Sequence, residues 1–150
     1  MVKSRIIIAV FLEFMTSQYI LGQSQLTQKQ IEKENYQEVL GYSEFQNDSL
    51  KPDKFPMYPD GQDGLIKDVS KNIKYPPAAR KQGIQGKVIV AFIVNKNGTI
   101  EKIEIIKSAD PALDDEAIRV IGKLKPWFPG IKNNQALAVP FIYPINFQLE

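Results

Sequence analysis

Three consecutive acidic residues, Asp114, Asp115 and Glu116, are the densest group of side chains that could do acid-base chemistry or hold a cation. They follow Asp110 and Pro111, and a capping side chain before a proline is typical of the first turn of a helix. Acidic residues in that turn are stabilised by the positive end of the helix dipole. The acidic run therefore has a structural explanation, and catalysis is the weaker interpretation.

A second charged group is basic and consists of Lys74, Arg80, Lys81 and Lys87. Such a cluster could contact a phosphate or the carboxylate of a glycan, but basic surface residues are usually solvated and bind nothing specific. The formal net charge is only +2, from 19 Lys and Arg against 17 Asp and Glu. Because no bulk charge attracts a polyanion, we predict no nucleic-acid partner.

The chain contains neither Cys nor His. This composition excludes thiolate nucleophiles, most zinc and transition-metal sites, and the commonest general base. The 150 residues have room for one modest core and a tail. We therefore predict a single non-enzymatic domain that needs no cofactor.

Residues 61–150 show the patterns of an α+β domain. Apolar residues at helical spacing precede Tyr75-Pro76, and "PPAARKQG" predicts one or two further helical turns. Residues 88–94 are apolar at every position, and Asn97-Gly98 suits the turn of a hairpin whose second strand is charged. Residues 111–125 predict an amphipathic helix, and "VPFIYPINFQLE" alternates like a strand with one buried face.

Connectivity predicts how these strands are arranged. A helical crossover after the second strand returns the last strand parallel to it, so the last strand pairs antiparallel with the first. The expected fold is a two-layer, three-stranded antiparallel sheet in the order last, first, second, with helices packed on one face. The last strand lies at an edge, where Pro140 and Pro144 cost no ladder donors.

An edge strand exposes unpaired backbone groups, which are either a liability or a binding site. Asn146 and Gln148 alternate with apolar residues, and neither lysine nor proline blocks residues 145–149. The sequence thus favours a partner peptide that adds a strand at this edge, in a transient contact. A short and harmless C-terminus is the simpler alternative, and pairing of two copies into a homodimer is the other outcome that an open edge allows.

An ordered series of motifs resembles one family. "YPPAARKQGIQGKVIVAFIVNKNGTIEKIEIIKSADPALDDEAIRVI", then "KPWFPG" and "YPINFQL", is similar to the C-terminal domain of TonB proteins, the periplasmic energy transducers that contact outer-membrane receptors. The resemblance covers about residues 65–150 and implies no enzymatic activity. Its remaining matches imply structural roles for Gly86, Gly98, Leu113, Ile121, Trp127 and Phe128, the last two covering the sheet.

The resemblance also implies a binding site. In this family the last strand pairs with the TonB box, a short segment of a TonB-dependent receptor, and the segment before Tyr-Pro contacts it as well. Carried over by position, the partner-binding residues are Asn72, Ile73, Lys74, Tyr75, Ile145, Asn146, Phe147, Gln148 and Leu149. An ExbB/ExbD-type motor is implied as a second partner if the N-terminus is an uncleaved anchor.

The N-terminal residues predict export. Lys3 and Arg5 precede an apolar run, and a small residue closes the segment at Gly22, as in a signal peptide over residues 1–22. An inner-membrane anchor is the alternative, although Glu13 interrupts it. Residues 23–60 predict a polar tether before the domain at 61–150. Because no proline-rich stalk is present, a secreted or periplasmic scaffold without energy coupling stays open as an alternative function.

Overall fold

A computed structural model of the protein describes residues 50–150. The predicted signal or anchor and most of the predicted tether lie outside the described residues. In chain order the elements are α1 (Gly61–Asn72), α2 (Pro77–Lys81), β1 (Gly86–Val94), β2 (Ile100–Lys107), α3 (Pro111–Gly122), β3 (Gly130–Lys132), β4 (Gln135–Leu137) and β5 (Val139–Phe147). Between residues 50 and 150, no helix is both long and apolar enough to cross a membrane.

The main sheet has three antiparallel strands in the order β2-β1-β5. The predicted α+β class and the predicted strand order are therefore confirmed. Strand β1 lies in the centre and pairs with β5 over nine consecutive positions, from Gly86 opposite Phe147 to Val94 opposite Val139. Helix α3 makes the crossover from β2 towards β5.

The core lies between the helices and one face of the sheet. The β1 residues Val88, Val90, Phe92 and Val94 are fully buried there with the α3 residues Leu113, Ala117, Val120 and Ile121. On the other face of β1, Ile89 and Ala91 are also buried, although they lie outside the core cluster to which the helices contribute. A central strand is shielded by neighbours on both sides, which explains why β1 is apolar at almost every position.

Residues 53–58 precede the predicted domain boundary at residue 61 and pack against later parts of the chain. Residues 53–57 run antiparallel to residues 128–131, with bridges from Lys54 to Ile131 and from Met57 to Phe128. Tyr58 is only 3% exposed and belongs to the core. Residues 53–58 thus form a lead-in segment whose backbone is paired and whose Tyr58 side chain is buried.

Strands β3 and β4 form a short second sheet that we did not predict. Their turn places Asn133 and Asn134 at φ 49° and 59°, and asparagine is one of the few residues that tolerates this left-handed region. Three residues per strand are too few for hydrophobic alternation to be visible. The lead-in segment stabilises this two-stranded sheet, because the backbone of Ile131 in β3 is hydrogen-bonded to Asp53 and Lys54.

Trp127 and Phe128 differ in their environment. Trp127 is 4% exposed, and its ring lies 4.9 Å from that of Phe141 and 5.3 Å from that of Tyr58. Phe128 is 57% exposed, so the expectation that both residues cover the sheet is correct only for Trp127. The β1–β2 hairpin turn is hydrogen-bonded to Trp127, which donates its backbone N–H to Gly98 O at 2.8 Å.

A Cβ at Gly98 would lie 1.9 Å from the Trp127 carbonyl oxygen, and its φ is 82°. Only glycine can occupy this turn position, as the Asn-Gly pattern predicts. Helix α3 ends three residues before the predicted Lys125. Lys123 and Leu124 donate to carbonyls three residues back, Val120 O and Ile121 O, so the helix closes in a tighter last turn.

Candidate functional site: the outer edge of β5 and the segment before α2

The hairpin geometry shows which backbone groups of β5 face outward. Asn95 donates its N–H to Thr99 O, so the backbone of Asn95 points towards β2. Successive residues of a strand point their backbone groups to opposite edges, so the even-numbered residues of β1 point towards β5. Since Val88 lies opposite Ile145, the odd-numbered residues of β5 complete that ladder. The even-numbered residues of β5 therefore face the free edge.

Two further observations agree with this alternation. Leu149 donates its N–H to Gln85 Oε1 at 2.7 Å, on the β1 side, as an odd-numbered residue should. Pro140 and Pro144 both fall on the outward side, where a missing N–H removes no bond of the sheet. Within β5 the free edge thus offers four carbonyl oxygens, but N–H donors only at Ile142 and Asn146.

The residues predicted to bind a partner along the last strand fall into two groups, according to the edge that their backbone groups face. Asn146 turns its backbone outward, and Gln148 has the same alternation but lies just beyond the end of β5. Ile145, Phe147 and Leu149 direct theirs towards β1. Asn146 and Gln148 therefore face the same way, away from β1.

Burial divides the same set of residues. Ile145 and Phe147 are fully buried, Tyr75 is 5% exposed and Ile73 is 7% exposed. These four side chains support the fold and are not accessible to a partner. Asn72 and Lys74 are exposed, and Asn146, Gln148 and Leu149 are half-buried.

The structure brings the two predicted regions together. The rings of Tyr75 and Phe147 meet edge to face, with their centroids 5.9 Å apart at an interplanar angle of 87°. Tyr75 also donates its hydroxyl to the Ile84 carbonyl, and Arg80 lies 6.0 Å above its ring. Burial raises the pKa of the Tyr75 hydroxyl. The segment of residues 72–75 is therefore fixed beside the C-terminal end of β5.

The segment of residues 72–75 is also contacted by Glu116 and Arg119, two residues that were not among the predicted site residues. Glu116 Oε1 accepts the backbone N–H of Lys74 at 2.5 Å, and Arg119 Nη2 donates to Asn72 O at 2.7 Å. Glu116 is 9% exposed and is paired with Arg119, whose pKa it raises by hydrogen bonding. The signal was in the sequence, because Glu116 falls at the helical spacing of the buried Leu113 and Val120.

The three acidic residues 114–116 have separate environments. Asp114 accepts hydrogen bonds from Ser108 Oγ at 2.5 Å and Ala109 N at 3.3 Å, and Asp115 is exposed. Glu116 is directed to Lys74 and Arg119 instead. Across residues 50–150, no three His, Cys, Asp or Glu side chains are grouped so that they could hold a metal ion.

A second polar network fixes the lead-in segment. Tyr58 donates its hydroxyl to Asp68 Oδ2 at 2.7 Å, and Lys125 Nζ lies 3.0 Å from the same oxygen. Burial, with the Asp68 hydrogen bond, raises the pKa of Tyr58 to about 12. The hydrogen bonds from Tyr58 and Lys125 lower the pKa of Asp68. This network connects the lead-in segment to α1 and to the end of the crossover.

Comparison with known proteins identifies the domain. A family model described as the Gram-negative bacterial TonB protein C-terminal matches residues 71–149. The chain belongs to the TonB family. This match confirms the resemblance on which the expectation of a TonB-type domain depended.

Curated relatives show how much of TonB the match covers. Protein TonB of Helicobacter pylori is 30% identical over 78 residues, which are 51% of this chain and 27% of that protein. Protein TonB of Xanthomonas campestris pv. campestris is 37% identical over 84 residues, which are 53% of this chain and 37% of that protein. The chain thus spans only 27% to 37% of the length of these TonB proteins.

Solved structures similar to this chain are also TonB C-terminal domains. A solution structure of the Helicobacter pylori TonB-CTD is 26% identical and has a TM-score of 0.47, covering 58% of this chain and 78% of that one. The solution structure of the Pseudomonas aeruginosa TonB CTD is 25% identical with a TM-score of 0.45, covering 52% and 79%.

Proposed function

We propose that this domain binds the TonB box of TonB-dependent outer-membrane receptors by adding the receptor segment as a strand along β5. The single observation that carries the proposal is the outer edge of β5, where the N–H of Ile142, the N–H of Asn146 and four carbonyl oxygens have no partner strand among residues 50–150. A peptide that pairs there recovers these bonds without any change to the core. Recognition through backbone groups also fits a partner whose side chains vary.

The predicted site is consistent with this mode of binding. Asn146 supplies the outward donor, and Gln148 extends the same edge beyond β5. Asn72 and Lys74 expose side chains beside the end of the strand, held there by the contact of Tyr75 with Phe147. Ile73, Ile145 and Leu149 support these groups rather than contact the peptide.

In the cell, the domain serves energy-coupled transport across the outer membrane, with the receptor as its partner and no enzymatic step of its own. Its compartment is the periplasm, reached through the export signal of residues 1–22 or from an inner-membrane anchor in the same residues. Coupling to an ExbB/ExbD-type motor requires the anchored form. The family membership supports this role, and backbone pairing does not depend on which receptor is bound.

The test removes one outward donor. Asn146→Pro deletes the N–H that the proposal assigns to the peptide, and Pro144 shows that β5 accommodates proline on this side of the strand. The probe is a set of synthetic peptides covering the TonB boxes of receptors from the same bacterium, titrated into the 15N-labelled chain. We expect Asn146→Pro to lower affinity by about tenfold or more, because a backbone bond is lost and the ring crowds the added strand.

The matched control is Asn146→Ala, which keeps the N–H and should change affinity by no more than about twofold. Urea unfolding of both variants establishes that the domain stays folded. In the unchanged chain, the largest amide shifts should fall on Ile142, Asn146 and Gln148. Largest shifts on β2, together with normal binding by Asn146→Pro, would show that the peptide docks elsewhere.

A further inference from the structure

The backbone of residues 72–75 is hydrogen-bonded by side chains of α3, not by a neighbouring strand. Helix α1 ends at Asn72, and Ile73 is already extended with φ −72° and ψ 138°. The carbonyl of Asn72 and the N–H of Lys74 point to the same side of this extended stretch, because residues two apart share an edge. Arg119 and Glu116 bind these two groups.

Glu116 and Arg119 are also hydrogen-bonded to each other. Arg119 Nε donates to Glu116 Oε2 at 2.7 Å and Arg119 Nη2 donates to Glu116 Oε1 at 2.6 Å, so both carboxylate oxygens are occupied. Charge-assisted, two-point contacts of this kind fix orientation as well as distance. A carboxylate that is nine-tenths buried needs such partners, since an unpaired buried charge is strongly unfavourable.

The geometry points to Glu116 and Arg119 as positioning residues, which hold residues 72–75 in the conformation in which they meet a partner peptide. This inference rests on the proposed function of the β5 edge and assigns the two residues that hold its second contact region in place. Glu116 and Arg119 act through the backbone of Asn72 and Lys74, so neither needs to touch the peptide.

The hydrogen bonds from Glu116 and Arg119 form a clamp on residues 72–75, and this clamp also determines which groups of the segment a peptide can bind. Because Asn72 O and Lys74 N are already bonded, that edge of the segment is closed to strand addition. The exposed side chains of Asn72 and Lys74 remain available to a peptide. The carboxamide of Asn72 is itself oriented, because its Nδ2 donates to Asp68 O at 2.7 Å. The segment thus adds side-chain recognition to the backbone pairing at β5.

The test compares Glu116→Ala with Asp115→Ala, which removes an exposed carboxylate from the adjacent position of the same helix. Amide hydrogen exchange reports on the clamp directly. We expect exchange at Lys74 to become about tenfold faster in Glu116→Ala and to stay unchanged in Asp115→Ala. Glu116→Gln keeps an acceptor for the Lys74 N–H while losing the charge that holds Arg119, so Lys74 should remain protected.

Peptide length separates positioning from general support of the fold. A core peptide pairs only with Ile142 and Asn146. A longer peptide, extended past the C-terminal end of β5 where Tyr75 contacts Phe147, is expected to reach Asn72 and Lys74 as well. We expect Glu116→Ala to weaken the longer peptides by about five- to tenfold and to leave the core peptide unchanged. Glu116→Gln should recover part of that loss.

Each other outcome has a defined meaning. Equal losses for the short and long peptides would overturn the positioning role, because they would reflect a general disturbance of the domain. So would unchanged affinity for long peptides in a variant whose Lys74 amide exchanges freely. Failure of the unchanged chain to bind any peptide would overturn the proposed function itself.

Discussion

The two edges of the main sheet are protected in different ways. Strand β2 exposes Glu101, Lys102, Glu104 and Lys107, and it carries one extra residue relative to β1 at each of two register shifts. One extra residue lies between Glu101 and Glu104, where Lys102 adopts φ 49°. Charge and β-bulges are two of the devices that prevent a further strand from adding to an edge.

Strand β5 has neither device. It pairs with β1 at nine consecutive positions without a shift, and its outward side chains are apolar or neutral. Its protection consists of Pro140 and Pro144, which remove two of the four donors that would otherwise face outward. Strand β2 is therefore closed along its length by charge and bulges, whereas β5 is closed only in part and stays regular enough to accept a strand near Asn146.

The largest expected difference between the two edges is in stability. Ile145 of β5 and Ile105 of β2 lie opposite the neighbouring valines Val88 and Val90, but Ile145 is fully buried and Ile105 is half-buried. We expect Ile145→Ala to lower the free energy of unfolding by about 3 to 4 kcal/mol and Ile105→Ala by about half as much. Urea titration of both variants measures the difference. Equal losses would mean that β2 is as deeply anchored as β5.

The sequence predicted the main sheet because its signals are strong. A continuous apolar run marked β1, Asn97-Gly98 marked the hairpin, and the helical crossover then placed β5 antiparallel to β1. The outward side of β5 could not be assigned from the sequence, because alternation gives two faces but does not say which backbone groups face β1. That assignment needed the bond from Asn95 to Thr99.

Other features lacked a local signal. The lead-in segment pairs with residues that lie more than 70 positions later, and no pattern in residues 53–57 encodes that contact. The link from Glu116 to Lys74 spans 42 positions. Glu116 did fall on the apolar face of its helix, and a charged residue at such a position indicates a buried partner, but not which one.

The next prediction concerns donors on the open edge. Pro144→Ala adds an N–H to the outward side of β5, two residues before Asn146, so a bound peptide gains one hydrogen bond. We expect its affinity for TonB-box peptides to rise about two- to tenfold. The added donor also makes the edge a better template for a second copy of the chain. Sedimentation of the variant should therefore show more dimer than the unchanged chain at the same concentration.

The control for this prediction is Pro126→Ala, which changes an exposed proline outside the sheet. Pro144→Ala also frees the unfolded chain, which costs about 0.4 to 1 kcal/mol of stability, so urea unfolding must be measured beside the titration. If Pro144→Ala left both peptide affinity and self-association unchanged, the proline would not be limiting the edge, and the contrast between β2 and β5 would rest on shape alone.

The smallest effect is expected at the bulge of β2. Lys102 is exposed and sits in the left-handed region at φ 49°, which a residue with a Cβ occupies at a cost of about 1 to 2 kcal/mol. Glycine removes that cost but gains freedom in the unfolded chain, so Lys102→Gly should raise the free energy of unfolding by about 0.5 to 1 kcal/mol.

Lys87→Gly is the matched control, because Lys87 is an exposed strand lysine without a positive φ. This variant should instead lower the free energy of unfolding by about 0.5 to 1 kcal/mol. Opposite signs for these two variants in urea titrations would confirm that β2 keeps its bulge against a local preference, as an edge closed by shape requires. A loss of stability in both would mean that Lys102 contributes contacts worth more than the strain, and that the irregularity of β2 comes from packing rather than from a tolerated kink.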